Sequence, residues 1–314
     1  MGMYRLGDIV RMTRKSLDIT QEQLSEGLCS VETLSRIETG KQSPSRELYD
    51  LLMERMGRIR ERAYSILSVS DYVVLDKMKQ FEECLRVYNH QKAETVLKEL
   101  EPMIGKTVLD RQFLIRAKSN VDYHQKRITC EEYLSQMEQA ILLTIPKYRM
   151  ISLSGWPLTY LEAMLLLNIS SAYAEREDYT KSIQLLKEAV SALQHSYMDE
   201  QQSIIIQIAI YSNLSKWYGL NGKHEEAIVN ANVGVELCKK HKLGSAVVNL
   251  LYSIVWNKEK LIERGDLSIE QRNNCIKELK RIYYIAAAMQ QSFLMEFIEK
   301  HLLDYYNISM EVSC

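Results

Sequence analysis

An internal repeat is the feature that most limits what this chain of 314 residues can fold into. Residues 166–173 read LLNISSAY, and residues 211–218 read YSNLSKWY, 45 positions later. In each stretch a large, an aliphatic, a small and an aromatic residue recur at the same spacing, and Ser182 or Ala227 follows nine positions after the tyrosine. That order is the signature of tetratricopeptide repeats, whose small residues let two antiparallel helices pack closely. The pattern therefore predicts stacked helix pairs.

The helix pairs are expected to extend beyond these two matches. Residues 81–100, 110–145 and 247–289 also read as helix pairs, and the second half of the chain contains no proline. We predict about five pairs over residues 75–291, coiled into a right-handed superhelix with a concave face, and a capping helix with a tail over residues 292–314. A generic helical bundle is the alternative interpretation.

The first 66 residues have the pattern of a separate, small helical domain. Residues 21–28 and 30–40 predict two short helices joined by a tight turn, with a further helix before and after them. Ser30 is suited to cap the second of the two helices, and Gly40 is suited to end it in the left-handed conformation. This is a helix-turn-helix arrangement, the unit that places its second helix in the DNA major groove.

Together the two patterns predict an all-α chain. A five-helix-type helix-turn-helix domain is expected over residues 1–66, and a linker over residues 67–74. The tetratricopeptide-like superhelix follows the linker and is expected to make up most of the chain.

Net charge does not indicate a nucleic-acid partner. The chain has a formal net charge of -1, and residues 1–66 contain 11 Lys and Arg against 10 Asp and Glu. Any DNA affinity must therefore come from where the charges lie. Arg36 can donate two hydrogen bonds to a guanine edge and Glu32 can accept one from cytosine, although the two can also pair with each other on a solvated face. Gln21 and Lys41, at the two ends of the motif, are expected to hold phosphates. The predicted DNA-binding residues are Gln21, Val31, Glu32, Thr33, Ser35, Arg36 and Lys41.

Arg14 and Glu38 are expected to serve the fold rather than DNA. Arg14 lies near the end of the first predicted helix, and Glu38 lies near the end of the third. An ion pair between them would fix the angle between the two helices. We therefore predict a structural role for both residues.

Asparagine recurs at one position of the repeat. Asn168 and Asn213 each lie five residues before the repeat tyrosine, a position expected on the concave side. An asparagine side chain both donates and accepts, so it can hold the backbone of an extended peptide. Lys216 lies on nearly the same face and can neutralise a carboxylate, and a polar–aromatic stripe follows in the next pair. Surface or packing roles are the alternatives to the predicted peptide-binding set, which is Asn168, Asn213, Lys216, Asn249 and Tyr252.

Little in the sequence points to catalysis. The six histidines are scattered, and no Ser-His-Asp pattern, metal-binding spacing of histidine and cysteine, or glycine-rich phosphate loop is present. We therefore expect no catalytic residues, no metal and no cofactor. No apolar run reaches the roughly 20 residues of a membrane helix, and six cysteines without a pairing pattern suit a reducing cytoplasm.

Residues 23–40 resemble the DNA-binding domain of PlcR/Rgg/PrgX-type regulators of Gram-positive bacteria. The link between the second and third helices is one residue shorter than in common phage-repressor domains, and Cys29 lies in it. With the repeats, the resemblance covers nearly the whole chain. It implies a cytoplasmic, quorum-sensing transcription factor that binds operator DNA as a homodimer, with the repeats mediating dimerisation and binding a short signalling peptide.

The resemblance also bears on the repeat asparagines. In that family an asparagine on the first helix of a repeat commonly holds the peptide backbone, which matches Asn168 and Asn213. Two other functions remain open on the residues alone. One is a repeat protein that sequesters another protein and uses its helix-turn-helix domain as a DNA anchor. The other is a hydrolase with an unrecognised site in the repeat groove.

Overall fold

The structure is a computed structural model that describes residues 6–56, 69–86, 89–104, 108–153, 156, 158–193 and 200–310. These residues form α-helices, three short 3-10 helices and connecting turns, and no strand occurs within the described ranges. The predicted all-α fold class is confirmed. The chain divides into two compact units, residues 1–178 with 184–203 and residues 179–183 with 204–314.

Four helices form the N-terminal head, and their ends are set by local hydrogen bonds. They are α1 (Leu6–Ser16), α2 (Gln21–Ser25), α3 (Val31–Glu38) and α4 (Arg46–Arg55). Thr20 begins α2 with a capping box, in which the Gln23 backbone N–H donates to the Thr20 hydroxyl at 3.1 Å. Gly40 has φ of +71°, the left-handed conformation that its place after α3 predicted. The prediction of a fifth helix in the head concerns residues that lie outside the described part of the chain.

The head is held together by an apolar cluster and by one close backbone approach. Val10, Leu24 and Leu34, from three different helices, are fully buried and pack with residues of α4. Gly7 of α1 lies against the end of α3, where an added Cβ atom would be only 1.7 Å from the Ile37 carbonyl oxygen. Only glycine allows α1 and α3 to approach this closely.

The first unit continues with helices that pack in chain order. They are α5 (Val69–Arg86), α6 (His90–Leu100), α7 (Val108–His124), α8 (Cys130–Leu142), α9 (Tyr160–Glu175) and α10 (Tyr179–Leu193), of which α10 is divided between the units. Phe81 and Phe113 meet edge to face in a cluster shared by α5, α6 and α7. Helix α5 begins at Val69, within the stretch predicted as a linker.

The second unit contains the rest of the repeats. Its helices are α11 (Glu200–Leu220), α12 (His224–His241), α13 (Val247–Arg264), α14 (Arg272–Ala288) and α15 (Ser292–Tyr306), with the first residues of α11 assigned to the first unit. Among the described residues, α5 to α14 are ten successive helices, of which α5 packs on α6, α7 on α8 and α13 on α14, and α15 occupies the segment predicted as a capping helix. The predicted domain boundaries remain predictions.

Small residues bring helices of the second unit close together. The hydroxyl oxygens of Ser215 on α11 and Ser253 on α13 are 2.6 Å apart. On α12, a Cβ atom added to Gly234 would lie 2.7 Å from a methyl carbon of Leu250. Larger side chains at these positions would push the helices apart. Among the described residues, no helix is long and apolar enough to span a membrane.

Candidate functional site

The surface of α3 presents side chains that the head does not use for its own packing. Arg36, Glu32 and Val31 are exposed, and Ser35 is half-buried. Within the described part of the chain no ion pair joins Glu32 and Arg36, and the Arg36 guanidinium has no partner there. The alternative of a Glu32–Arg36 pair on a solvated face is therefore not what the structure shows. Arg36 is free to contact a ligand.

Thr33 has a structural partner. Ser30 caps α3 by accepting a hydrogen bond from the Thr33 backbone N–H at 3.1 Å, and the two hydroxyl oxygens are 2.9 Å apart. The Thr33 hydroxyl is thus engaged at the helix start, which leaves its methyl group for an apolar contact. This differs from the other predicted residues of α3, whose side chains have no such bond.

Arg14 and Glu38 form the predicted ion pair, and its geometry is bidentate. Arg14 Nε donates to Glu38 Oε1 at 2.6 Å and Arg14 Nη2 donates to Oε2 at 2.8 Å. Arg14 Nη1 donates to the Ile19 carbonyl oxygen at 2.8 Å, so the same guanidinium also holds the turn before α2. Glu38 is only 2% exposed, and its hydrogen bond raises the pKa of Arg14. The pair fixes α1, the turn and the end of α3 relative to one another.

Gln21 belongs to this same cluster rather than standing free at the surface. Its Nε2 donates to Glu38 Oε2 at 2.8 Å, so three donors converge on one carboxylate. Because a carboxylate only accepts, the Gln21 NH2 group must face Glu38 and the amide oxygen must face away. The prediction that Gln21 holds phosphate has to be narrowed accordingly, because only one amide N–H remains for a phosphate oxygen.

Basic side chains flank this surface. Lys41 follows Gly40, is exposed and has no side-chain partner among the described residues. Lys15, which the sequence did not single out, is exposed and lines an open groove of about 500 Å³ with Gln21 and Val31. Its position in the last turn of the first helix could have marked Lys15 as a DNA-facing residue. However, a positive charge at the C-terminal end of a helix also stabilises the helix itself, so the position alone does not indicate DNA binding.

In the first unit, Asn168 of α9 is held by other polar side chains. Arg116 Nε of α7 donates to Asn168 Oδ1 at 3.0 Å, and Asn168 Nδ2 faces Asn120 Oδ1 at 3.4 Å. Arg116 itself is 1% exposed and forms an ion pair with Glu82 of α5. Asn168 therefore does not offer both hydrogen-bonding groups freely, as the repeat pattern alone suggested.

In the second unit, Asn213 and Lys216 lie three residues apart on α11. Asn213 is half-buried and Lys216 is exposed, and the described residues contain no hydrogen-bond partner for either side chain. The Lys216 ammonium lies 4.6 Å from the centre of the Trp217 ring. Both polar groups remain available for a ligand.

On α13, Asn249 and Tyr252 differ from each other. Asn249 is exposed. The Tyr252 hydroxyl lies 2.7 Å from His301 Nδ1, and its ring meets Phe297 edge to face. Burial raises the pKa of Tyr252. Tyr252 thus ties α13 to α15, and the polar–aromatic stripe predicted to bind peptide is interrupted by this internal contact.

Comparison with known proteins identifies the first part of the chain. Residues 10–60 match the helix-turn-helix family. The head is a helix-turn-helix domain. In this domain α2 and α3 are the two helices of the motif, and Arg36 lies on the outer surface of the second, which is the helix that such domains place in the DNA major groove. No curated protein sequence matches the chain.

Solved structures share the fold of the whole chain. PlcR of Bacillus thuringiensis, solved with the peptide PapR7 and DNA, is 18% identical, with a TM-score of 0.59 over 94% of this chain and 98% of its own. ComR from S. thermophilus, solved with DNA and its signalling peptide ComS, is 12% identical, with a TM-score of 0.55 over 95% and 99%. The helix-turn-helix domain followed by helical repeats, which the sequence predicted, is confirmed as the fold.

Proposed function

We propose that the protein is a quorum-sensing transcription regulator of the cytoplasm, which binds operator DNA as a homodimer and a short signalling peptide in its repeats. The observation that supports DNA binding most directly is Arg36, unpartnered among the described residues on the outer face of α3 in a helix-turn-helix domain. PlcR and ComR, solved with DNA and a peptide, share the fold over more than nine-tenths of the chain.

DNA binding in this proposal uses residues 1–66 of each protomer. Arg36 reads a base edge, Glu32 and Val31 contact neighbouring bases, and Lys41 holds a phosphate. The Arg14–Glu38 pair acts indirectly, since it keeps α3 at a fixed angle in the head. Dimerisation through the repeat domain would set two heads on half-sites about 34 Å apart or a multiple of that spacing.

Peptide binding in this proposal uses the repeats. Asn213 has an amide donor and an amide acceptor without partners among the described residues, and Lys216 supplies a positive charge on nearly the same face of α11. Asn168 contributes in the first unit and Asn249 on α13. A bound peptide favours one arrangement of the repeats and thereby changes the spacing of the two heads, which is a shift between populated states.

A DNA selection experiment tests the first part of the proposal. The full-length protein is used to select a duplex from a randomised pool, and the dissociation constant of that duplex is then measured for variants. Loss of the Arg36 contact costs about 1–3 kcal/mol, so Arg36→Ala should weaken binding about 5- to 150-fold and relax one base position. Arg281→Ala is the matched control, because Arg281 is an exposed arginine on α14.

Two outcomes would contradict this reading of the head. Recovery of no specific duplex by the wild-type protein would remove the DNA-binding function. Equal affinity and equal specificity of Arg36→Ala and Arg281→Ala would leave DNA binding in place but remove Arg36 from the residues that read the bases.

A further inference from the structure

The half-buried Asn168 side chain is part of a polar chain around the buried Arg116 that joins α5, α7 and α9. Glu82 on α5 pairs with Arg116 on α7, with Arg116 Nη2 donating to Glu82 Oε2 at 3.1 Å. Arg116 Nε then donates to Asn168 Oδ1 on α9 at 3.0 Å. All of these residues belong to the first unit. A charge as deeply buried as Arg116 needs such partners to offset its lost hydration.

The chemistry of Arg116 fixes which way the Asn168 amide points. A guanidinium has only donors, so the group it meets on Asn168 must be the amide oxygen. The amide therefore cannot turn its oxygen elsewhere without leaving an N–H of a buried cation unpaired, which is costly. The Asn168 NH2 group must face the other way.

The neighbours of the NH2 group agree with this direction. Asn120 Nδ2 donates to the Arg116 carbonyl oxygen at 2.8 Å, which turns Asn120 Oδ1 toward Asn168 and the Tyr133 hydroxyl. Asn168 Nδ2 is 3.4 Å from Asn120 Oδ1, longer than the roughly 3.2 Å that bounds ordinary N–H···O hydrogen bonds. The oxygen of Asn168 is thus held at 3.0 Å by a cation, whereas its NH2 group meets only neutral partners, the Asn120 amide oxygen at a long distance and the Tyr133 hydroxyl.

We propose that Arg116 is a positioning residue that makes Asn168 a hydrogen-bond donor to a backbone carbonyl of the bound peptide. The inference rests on the proposed peptide-binding function and refines it. An incoming carbonyl oxygen can replace the long Asn120 contact of the NH2 group, whereas an incoming N–H finds only the second lone pair of an oxygen that the Arg116 cation already holds. Asn213, which has no described partner, retains both a donor and an acceptor. The two repeat asparagines therefore differ in role although they share a sequence position.

An isosteric substitution separates binding from folding. Asn168→Asp keeps an oxygen for Arg116 and removes the NH2 donor. The probe is a heptapeptide selected on the full-length wild-type protein from a synthetic library, and its dissociation constant is measured by titration calorimetry alongside the thermal midpoint. We expect Asn168→Asp to keep the wild-type midpoint within a few degrees, because its ion pair with Arg116 offsets the repulsion between its second oxygen and Asn120 Oδ1. We expect it to weaken binding by about tenfold or more, because the carboxylate also repels the peptide carbonyl oxygen and has no N–H to donate to it. Asn221→Asp, in an exposed turn, controls for the added charge.

A double-mutant cycle tests whether Arg116 acts through Asn168. Arg116→Lys keeps the charge beside Glu82 and loses the fork that holds the amide oxygen. We expect it to weaken peptide binding severalfold in the wild-type background and to have no further effect on binding in an Asn168→Ala background, although it lowers the thermal midpoint in both. A purely structural role would weaken binding equally in the two backgrounds.

The outcomes distinguish this inference from the function on which it rests. If the wild-type protein binds no heptapeptide, both are refuted. If it binds one and Asn168→Asp binds that peptide as tightly as Asn221→Asp does, peptide binding stands and the donor role of Asn168 is refuted. Equal losses for Arg116→Lys in both backgrounds refute the positioning role of Arg116.

Discussion

Replacing Glu38 by glutamine should destabilise the head far more than its small change in size suggests. Three donors converge on the Glu38 carboxylate, two from Arg14 and one from Gln21. A glutamine offers one oxygen and one NH2 group, so in Glu38→Gln at least one donor faces another donor and the Arg14 charge loses its counter-ion. Each hydrogen bond to a charged group contributes about 1.5–3 kcal/mol, and breaking a buried pair from one side costs about 3–5 kcal/mol.

The expected loss lies at the lower end of that range. The Arg14 side chain is 12% exposed, so water can partly rehydrate it once Glu38 is gone. We therefore expect the opening free energy of the head to fall by about 3 kcal/mol, which corresponds to roughly 100-fold faster amide hydrogen exchange in α1 and α3. Tryptophan fluorescence would miss this change, because the three tryptophans, Trp156, Trp217 and Trp256, all lie in the repeats. Hydrogen exchange read by mass spectrometry on the full-length protein resolves the head directly.

Glu32→Gln is the matched control for this experiment. Glu32 is an exposed carboxylate on the same helix, and the described residues contain no partner for it. Its substitution should leave exchange in α1 and α3 within about twofold of wild type, since exposed substitutions typically change stability by less than 0.5 kcal/mol. If Glu38→Gln exchanged no faster than Glu32→Gln, the converging bonds would not stabilise the head and the structural role of the pair would be refuted.

Three further predictions concern other parts of the chain. Gly7→Ala should disrupt the packing of α1 on α3, because the added Cβ atom would overlap the Ile37 carbonyl oxygen of α3. In the same hydrogen-exchange experiment, the amides of α1 should then exchange fully before the first time point. His90 and His124 stack at 4.3 Å and burial lowers the pKa of both, so the unfolded state takes up protons first and stability should fall as the pH drops below about 6.5; thermal midpoints at pH 7.5 and 5.5 should show a smaller drop for His124→Gln. Asn213→Ala should weaken binding of the selected heptapeptide severalfold to tenfold, and Lys216→Ala should weaken it more at low than at high salt, as measured by titration calorimetry.

Local signals made the head and the repeat helices predictable. Ser30 and Gly40 set where α3 begins and ends through backbone groups only a few residues away, so the local sequence is enough to predict both ends. The same holds for the small residues of the repeat, whose burial follows from helical spacing. Arg14 and Glu38 are 24 positions apart, but the helix-turn-helix pattern places both helix ends before any distance is known.

The polar chain around Arg116 could not be predicted in this way. Its partners Glu82 and Asn168 are 34 and 52 positions away, and only the stacking of three helix pairs brings them together. A signal was present, since an arginine stands between Phe113 and Ala117 on the buried side of α7, but a charge in a helix is usually exposed. Tyr252 is a similar case, because its helical spacing gave no sign that its hydroxyl meets His301, which lies 49 positions away.

The central claim is that peptide binding to the repeats and DNA binding to the head are coupled in one chain. The effect of each ligand on the affinity of the other measures this coupling directly. The dissociation constant of the selected duplex should be determined by fluorescence anisotropy with and without saturating selected heptapeptide, and that of the heptapeptide with and without saturating duplex. The coupling free energy between two allosteric sites is typically about 1–3 kcal/mol, and thermodynamics requires the two factors to be equal. We predict that each ligand changes the affinity of the other by the same factor, about 5- to 150-fold. If the protein bound both ligands and neither changed the dissociation constant of the other, the account would be contradicted, because peptide binding would then not regulate DNA binding.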